Sequence, residues 1–116
     1  MPYFKIETNR NVPYRVQFTK SASLLLSELL NKPEKFVMIS MHDEHEIRFG
    51  GSTEPAAYIQ IKSIGLPDDC DEFMLSVTSF IEDNLSIPRD RIYIECENLD
   101  CNRFAWNGQS FAKKHQ

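Results

Sequence analysis

The chain matches itself at an offset of 55 residues, and that repeat limits the fold more than any other feature. Pro33 in NKPEKFVMI falls on Pro88 in SIPRDRIYI, Tyr3 on Tyr58, Ile6 on Ile61, Thr8 on Ser63, Phe18 on Phe73 and Leu30 on Leu85. Each half reads strand, helix, strand, so a pseudo-repeat of 2–55 and 57–110 is expected inside one domain, 1–116. Between the strand-like runs, Phe18, Ala22, Leu25 and Leu29 recur at helical spacing, as do Phe73, Val77 and Phe80 with Ile81 and Leu85 beside them. Such spacing gathers apolar side chains on one helical face. Asp69 with Glu72 three residues on has the form of a capping box, and Pro33 and Pro88 stand where each helix must stop.

A strand that crosses through a helix normally returns to a parallel partner, so two such units predict a four-stranded sheet with both helices on one face. The fold class read from the residues is α+β, a split βαβ, ferredoxin-like sandwich. One face of the strands is apolar, with Phe4 and Ile6, Val37, Ile39 and Met41, Ile59 and Ile61, and Ile92 and Ile94. It is expected to meet the helices. The other face carries Tyr3, Lys5 and Glu7, Tyr58, Gln60 and Lys62, and Tyr93 and Glu95. Aromatic yet polar, it suits either a wet subunit interface or an ordinary exposed sheet face. Segment 42–51 reads as hairpin-like, and in the tail 104–112 Asn107-Gly108 marks a turn between short extended pieces. A tail strand can pair with the sheet edge of another copy.

With 41% hydrophobic and 26% charged residues, 116 residues suffice for one modest core. The net charge of −4, with Lys and Arg scattered among the acids, argues against nucleic acid and against an anionic membrane as main partners. No apolar run has transmembrane length and no signal-like start is evident, so membrane insertion is not expected and a cytoplasmic location is the simplest reading. Cys70, Cys96 and Cys101 are odd in number and form no C-x-x-C pair, which reads as reduced thiols. His42 and His45 in MHDEHE lack a marked third ligand, so no metal is assigned and the segment reads as a solvated turn.

Seven collinear motifs then resemble the macrophage migration inhibitory factor family of the tautomerase superfamily. They are Met1-Pro2, Thr8-Asn9, Lys32-Pro33, Arg48 to Pro55 (RFGGSTEP), Ser63-Ile64-Gly65, Pro88-x-x-Arg91-Ile92-Tyr93-Ile94 and Trp106-Asn107-Gly108-x-Ser110-Phe111. The resemblance implies a homotrimer of βαββαβ subunits with an active site at each subunit boundary. It also implies a cofactor-free keto-enol tautomerase acting on phenylpyruvate- and dopachrome-type compounds, small aromatic keto or enol acids. Its general base would be Pro2, freed by removal of Met1; a chain-terminal proline is a secondary amine, whereas an internal one is an amide. The alternative is a non-catalytic, cytokine-like signalling ligand with a cell-surface receptor as partner, exported without a signal peptide. A plain ferredoxin-like regulatory module is the third reading.

Proton abstraction near neutral pH needs an uncharged base, so the site must lower the amine's pKa by burial and by a nearby cation. The resemblance places Lys32 beside Pro2 as that cation, where it would also hold a substrate carboxylate or developing enolate oxygen. By residue type alone, Lys32 reads as a surface lysine at a helix end. The resemblance further implies a substrate contact from the Ile64 N–H, a pocket lined by Ser63, and apolar walls from Phe36, Phe104, Trp106 and Phe111. Tyr93 and Glu95, two apart on a strand, share a face, and the family pattern has both reaching into a neighbouring subunit's site. Glu95 departs from that pattern, since vertebrate cytokines carry asparagine there, and its carboxylate would oppose Lys32. At Ala56-Ala57-Tyr58-Ile59 the C-x-x-C of the vertebrate cytokine is missing, so no intrinsic disulfide reductase activity is expected. The tail 113–116 extends past the usual family end and reads as an unstructured terminus.

Overall fold

Alternation along Tyr3–Thr8 makes the first strand, β1, in which every second residue is buried. The computed structural model describes residues 1–113. Of the tail 113–116, Lys113 donates its N–H to the Ser110 carbonyl at 3.1 Å, and Lys114, His115 and Gln116 lie outside the described residues. After β1 come helix α1 (Arg15–Leu30), β2 (Met38–His42), β3 (Ala57–Ser63), α2 (Asp71–Leu85) and β4 (Ile92–Asn98). A hairpin of two short strands, β5 (Ala105–Trp106) and β6 (Gln109–Ser110), follows. The strand–helix–strand unit thus occurs twice.

The sheet order is β2-β1-β3-β4. Within each unit the two strands are parallel neighbours, Phe4 facing Ile39 and Tyr58 facing Tyr93. The units join antiparallel, with Tyr3 opposite Lys62. The mixed four-stranded sheet with two helices follows the α+β expectation. Its refinement is that no strand is inserted between the members of either unit, so the βαβ is not split. Direct pairing satisfies, within each unit, the backbone N–H and C=O groups that face the partner strand.

The buried sheet face and both helices share one core. Phe4, Ile6, Ile59 and Ile61 pack with Phe18, Ala22 and Leu26 of α1 and with Phe73, Val77 and Ile81 of α2. Each of these side chains except the small Ala22 contributes about 1.5–3 kcal/mol on burial. The two helical triads are equivalent at the repeat offset of 55 residues. They correct the expected stripe in α1: Leu26 is 0% exposed, whereas Leu29 is 37% exposed. Helical period permits steps of three or four, and the neighbouring helix selects between them. Leu29 faces a shallow groove with Pro67 and Phe73, and Phe80 meets Phe18 at 5.4 Å across the helix seam.

Both helices end on a left-handed residue, Asn31 at φ 51° and Ser86 at φ 54°, which turns the chain back toward the sheet. Pro33 and Pro88 then lead into single 3-10 turns, Glu34–Phe36 and Arg89–Arg91. At the start of α2 the capping box is not formed as expected. The helix opens at Asp71, and Asp69 instead accepts the Asp71 N–H at 2.9 Å from one residue outside the cap position.

Candidate active site

Pro2 is buried at the head of β1, and its carbonyl accepts the Met38 N–H at 2.9 Å. The sheet ladder therefore pins the start of the chain. The Met1 amine donates to the Phe36 carbonyl at 2.8 Å. Burial, and then the positive charge of Lys32, lower its pKa from 8.0 to about 6. With Met1 attached, the Pro2 nitrogen is a tertiary amide without basicity.

This terminus opens into a cavity of about 310 Å³. Pro2, Phe36, Phe104, Trp106 and Phe111 all line it. Each aromatic arrives by a different local device. Phe36 ends the 3-10 turn that follows Pro33, whereas Phe104 precedes the β5–β6 hairpin, which closes through Asn107 at φ 54° and Gly108 at φ 77°. Two left-handed residues in succession match the twist of paired strands, which explains the Asn-Gly pair. Trp106 stands edge-on to Phe36 at 5.3 Å, and Phe111 stands edge-on to the same ring at 5.9 Å. Phe111 is tied back by its N–H to the Phe104 carbonyl at 2.9 Å. Edge-to-face contacts of this kind hold rings at fixed angles, leaving a wall suited to a planar guest.

Lys32 is positioned by the α1 terminus rather than by the cavity wall. Its N–H donates to the Ser27 carbonyl at 3.1 Å, and the Ser27 hydroxyl donates to the Lys32 carbonyl at 2.6 Å. The Lys32 ammonium reaches Gly65, where an added Cβ would lie 3.8 Å from Nζ. Gly65 sits at φ +77°, and the Asn98 side-chain oxygen accepts N–H groups from both Gly65 and Leu66, at 3.0 and 3.1 Å. Lys32 and the Ile64-Gly65 turn are thus neighbours just outside the lining. Ser63 is buried, with its hydroxyl 3.4 Å from the Ile64 carbonyl.

Tyr93 and Glu95 both emerge on the open sheet face and are not among the residues that line their own chain's cavity. Tyr93 stacks on Phe49 at 4.8 Å, and Glu95 accepts from the Gln60 amide at 2.5 Å. Behind Phe49 lies a clamp. The Arg91 guanidinium donates to the carbonyls of Phe49, Ser52, Glu54 and Pro55 and lies 5.0 Å over the Phe49 ring. From the other side, the Asn9 amide donates to Thr53 and Glu54 carbonyls and accepts the Ala56 N–H. In segment 42–51, the hairpin-like expectation reduces to the Phe49–Ser52 bridge, turned by Gly50 and Gly51 at positive φ.

Tyr3, Met38, Lys62 and Leu99 also line the cavity, and sequence reasoning did not assign them. The available signal was alternation: Lys62 shares the open face with Tyr58 and Gln60, and Tyr3 lies directly beside Pro2. His42 and His45 meet edge-on at 5.8 Å, and His42 Nε2 lies 2.6 Å from the Ser40 hydroxyl. Cys70, Cys96 and Cys101 are free thiols, and burial, followed by the adjacent Cys70 thiol, pushes Cys96 up to about 11. Among the described residues, no helix is long and apolar enough to cross a membrane.

Residues 1–112 match the family described as Macrophage migration inhibitory factor (MIF). A macrophage migration inhibitory factor homolog of Brugia malayi is 35% identical over 116 residues, covering 96% of this chain and 99% of that protein. One of Trichinella spiralis is 34% identical, covering 96% and 100%. Among solved structures, a macrophage migration inhibitory factor homologue from Prochlorococcus marinus superimposes with a TM-score of 0.88 at 38% identity, covering 94% of this chain and 98% of that one. The Trichinella spiralis factor gives 0.88 at 32% identity, covering 94% and 99%. The chain belongs to the macrophage migration inhibitory factor family, within the tautomerase superfamily.

Proposed function

We propose that this protein is a cofactor-free keto-enol tautomerase for phenylpyruvate- or dopachrome-type acids, with Pro2, freed by loss of Met1, as its general base. One observation carries the reading. An amine at this end of the chain, inside an aromatic-lined cavity, is held near pKa 6 by burial and by Lys32. An uncharged amine at neutral pH is what proton abstraction next to a carbonyl requires. Once Met1 is gone, the Pro2 nitrogen occupies the buried position one residue further in, where the same two causes act. The neutral nitrogen takes a proton from the carbon beside the carbonyl, and the electron pair moves onto oxygen. The resulting prolinium then returns the proton to oxygen; no electrons are gained or lost. Lys32, with the Ile64-Gly65 turn beside it, stabilises the oxyanion and the substrate carboxylate. The aromatic wall orients the ring and excludes water.

The working unit in this reading is a homotrimer. Tyr93 and Glu95 project from the open sheet face and do not line their own chain's cavity, so they serve a neighbour's site. Tyr93 is 60% exposed and Tyr58 is 38% exposed in the single chain, which favours cover by another copy. The whole span 1–116 acts as one domain, and the reading keeps a cytosolic home.

Intact-mass measurement on protein from its natural source tests the processing step, and Pro2→Gly tests the chemistry. Loss of Met1 in the mass and loss of turnover in Pro2→Gly are expected. A retained Met1 in active protein, or full activity in Pro2→Gly, refutes the reading. A second reading, an exported cytokine-like ligand, is favoured by the names of the Brugia and Trichinella relatives. It predicts that Pro2→Gly keeps receptor binding on cells.

A further inference from the structure

Lys62 is, among the described residues, the one charged side chain that lines the cavity. It lies on β3 opposite Tyr3, the first residue of β1 and the one that follows Pro2. Its ammonium is 3.6 Å from the Glu97 carboxylate, and the two side chains are 41% and 58% exposed. An exposed pair at that distance is weakly held and readily exchanged. Among the described residues no carboxylate side chain lines the cavity, and the remaining lining side chains are apolar or aromatic apart from the Tyr3 phenol. An anionic group entering here would find one cation at an apolar wall, where attraction is less screened than in water. Lys32, not Lys62, is the cation acting on the chain-terminal amine. Lys62 is thereby left for a group elsewhere on the guest.

Building on the tautomerase reading, we propose that Lys62 is a second anion-binding residue of this cavity, exchanging Glu97 for a distal acidic group, so that the site selects dianionic aromatic acids over monoanionic ones. The two cations then divide the work. Lys32 takes the carboxylate or oxyanion at the reacting end, and Lys62 takes the far end across the aromatic wall. Glu97 is the competitor that keeps Lys62 occupied when no dianion is bound.

The only tryptophan of the chain, Trp106, lines the same cavity and reports binding without turnover. Full-length protein lacking Met1 is titrated with benzoate and with terephthalate, following Trp106 fluorescence. Terephthalate is expected to bind roughly tenfold or more tighter than benzoate, a typical gain from one added close charge pair in a partly dry site. Lys62→Ala and Lys62→Gln should abolish most of that preference, Lys62→Arg should restore it, and Glu97→Gln should enlarge it. In turnover, the KM ratio of a para-carboxylated phenylpyruvate to phenylpyruvate should rise about tenfold in Lys62→Gln while the kcat ratio stays constant. Equal binding of the two acids by the wild type, or an unchanged preference in folded Lys62→Gln, overturns the inference. A Lys62-dependent preference in a protein that isomerises neither keto acid would refute the tautomerase reading and uphold this one.

Discussion

The Met1 nitrogen and the Phe36 oxygen, 35 residues apart in sequence, meet at 2.8 Å. That contact fixes the head of β1 against the turn that follows α1, so the chain terminus, Lys32 and the aromatic wall share one environment. Because burial is the larger cause of the amine's depressed pKa and Lys32 the smaller, the two are separable. In protein that retains Met1, acylation of the α-amine followed against pH should give a midpoint of about 6. Lys32→Ala should raise the midpoint but leave it below 8.0. The linkage has a definite sign. The folded pKa of this base is depressed, so charging it disfavours the folded state, and stability falls as pH drops from about 8 to about 6 and then levels off. A wild-type midpoint near 8 would refute the account.

Glu95 sits on β4 and accepts from the Gln60 amide; in the proposed trimeric tautomerase its carboxylate would enter the neighbour's site and oppose Lys32. Glu95→Asn should raise kcat/KM on α-keto acids by roughly fivefold, the effect of about 1 kcal/mol of removed repulsion. It should also move the acidic limb of the pH profile to lower pH, since a carboxylate favours the charged amine. An unchanged limb would place Glu95 away from Pro2.

Arg91 ties four carbonyls of one loop with a single planar fork. A lysine ammonium cannot reproduce that geometry. Arg91→Lys should cost about 1–3 kcal/mol in urea unfolding, with the loss concentrated in faster hydrogen exchange at 49–56. Protection there equal to the wild type would show that Asn9 alone suffices.

Asp43 accepts the Val12 N–H at 2.9 Å and pairs with Arg15 at 2.9 Å, while its side chain is only 6% exposed. The Val12 bond, opposed by burial and reinforced by Arg15, holds its carboxyl below the ordinary value of 3.8. Its contribution is therefore complete above about pH 4 and fades as pH falls through the lower folded value. Asp43→Ala leaves the Val12 N–H, on a residue that is 0% exposed, without its partner and should cost about 2 kcal/mol at pH 7. The cost should shrink in acid; a pH-independent difference would exclude the carboxylate as its source.

Ser86 holds a left-handed φ of 54° at the end of α2, a conformation that glycine adopts without strain. Ser86→Gly should stabilise the protein by about 0.5 kcal/mol, the relief being partly offset by greater freedom of the unfolded chain. Thermal unfolding checks this, and a lower midpoint would show that the serine side chain supports the turn.

The 55-residue repeat, the strand alternation, the prolines after each helix and the Asn107-Gly108 turn were legible because each expresses a short-range rule of period or backbone conformation. They were enough to define two helices, four strands and the apolar face. The motifs at Pro2, Lys32, Trp106 and Phe111 further singled out the residues to inspect. What only the tertiary structure decided depends on distant segments meeting. The helix seam chose Leu26 over Leu29 for the core, and direct pairing left the βαβ units unsplit. The antiparallel register of β1 with β3 set Lys62 opposite Tyr3 and so at the cavity. The Arg91 and Asn9 side chains, from opposite halves of the chain, converged on the loop after Phe49. Periodicity says which way a side chain points, but the partner it meets is set by register and packing, which the order of residues does not state locally.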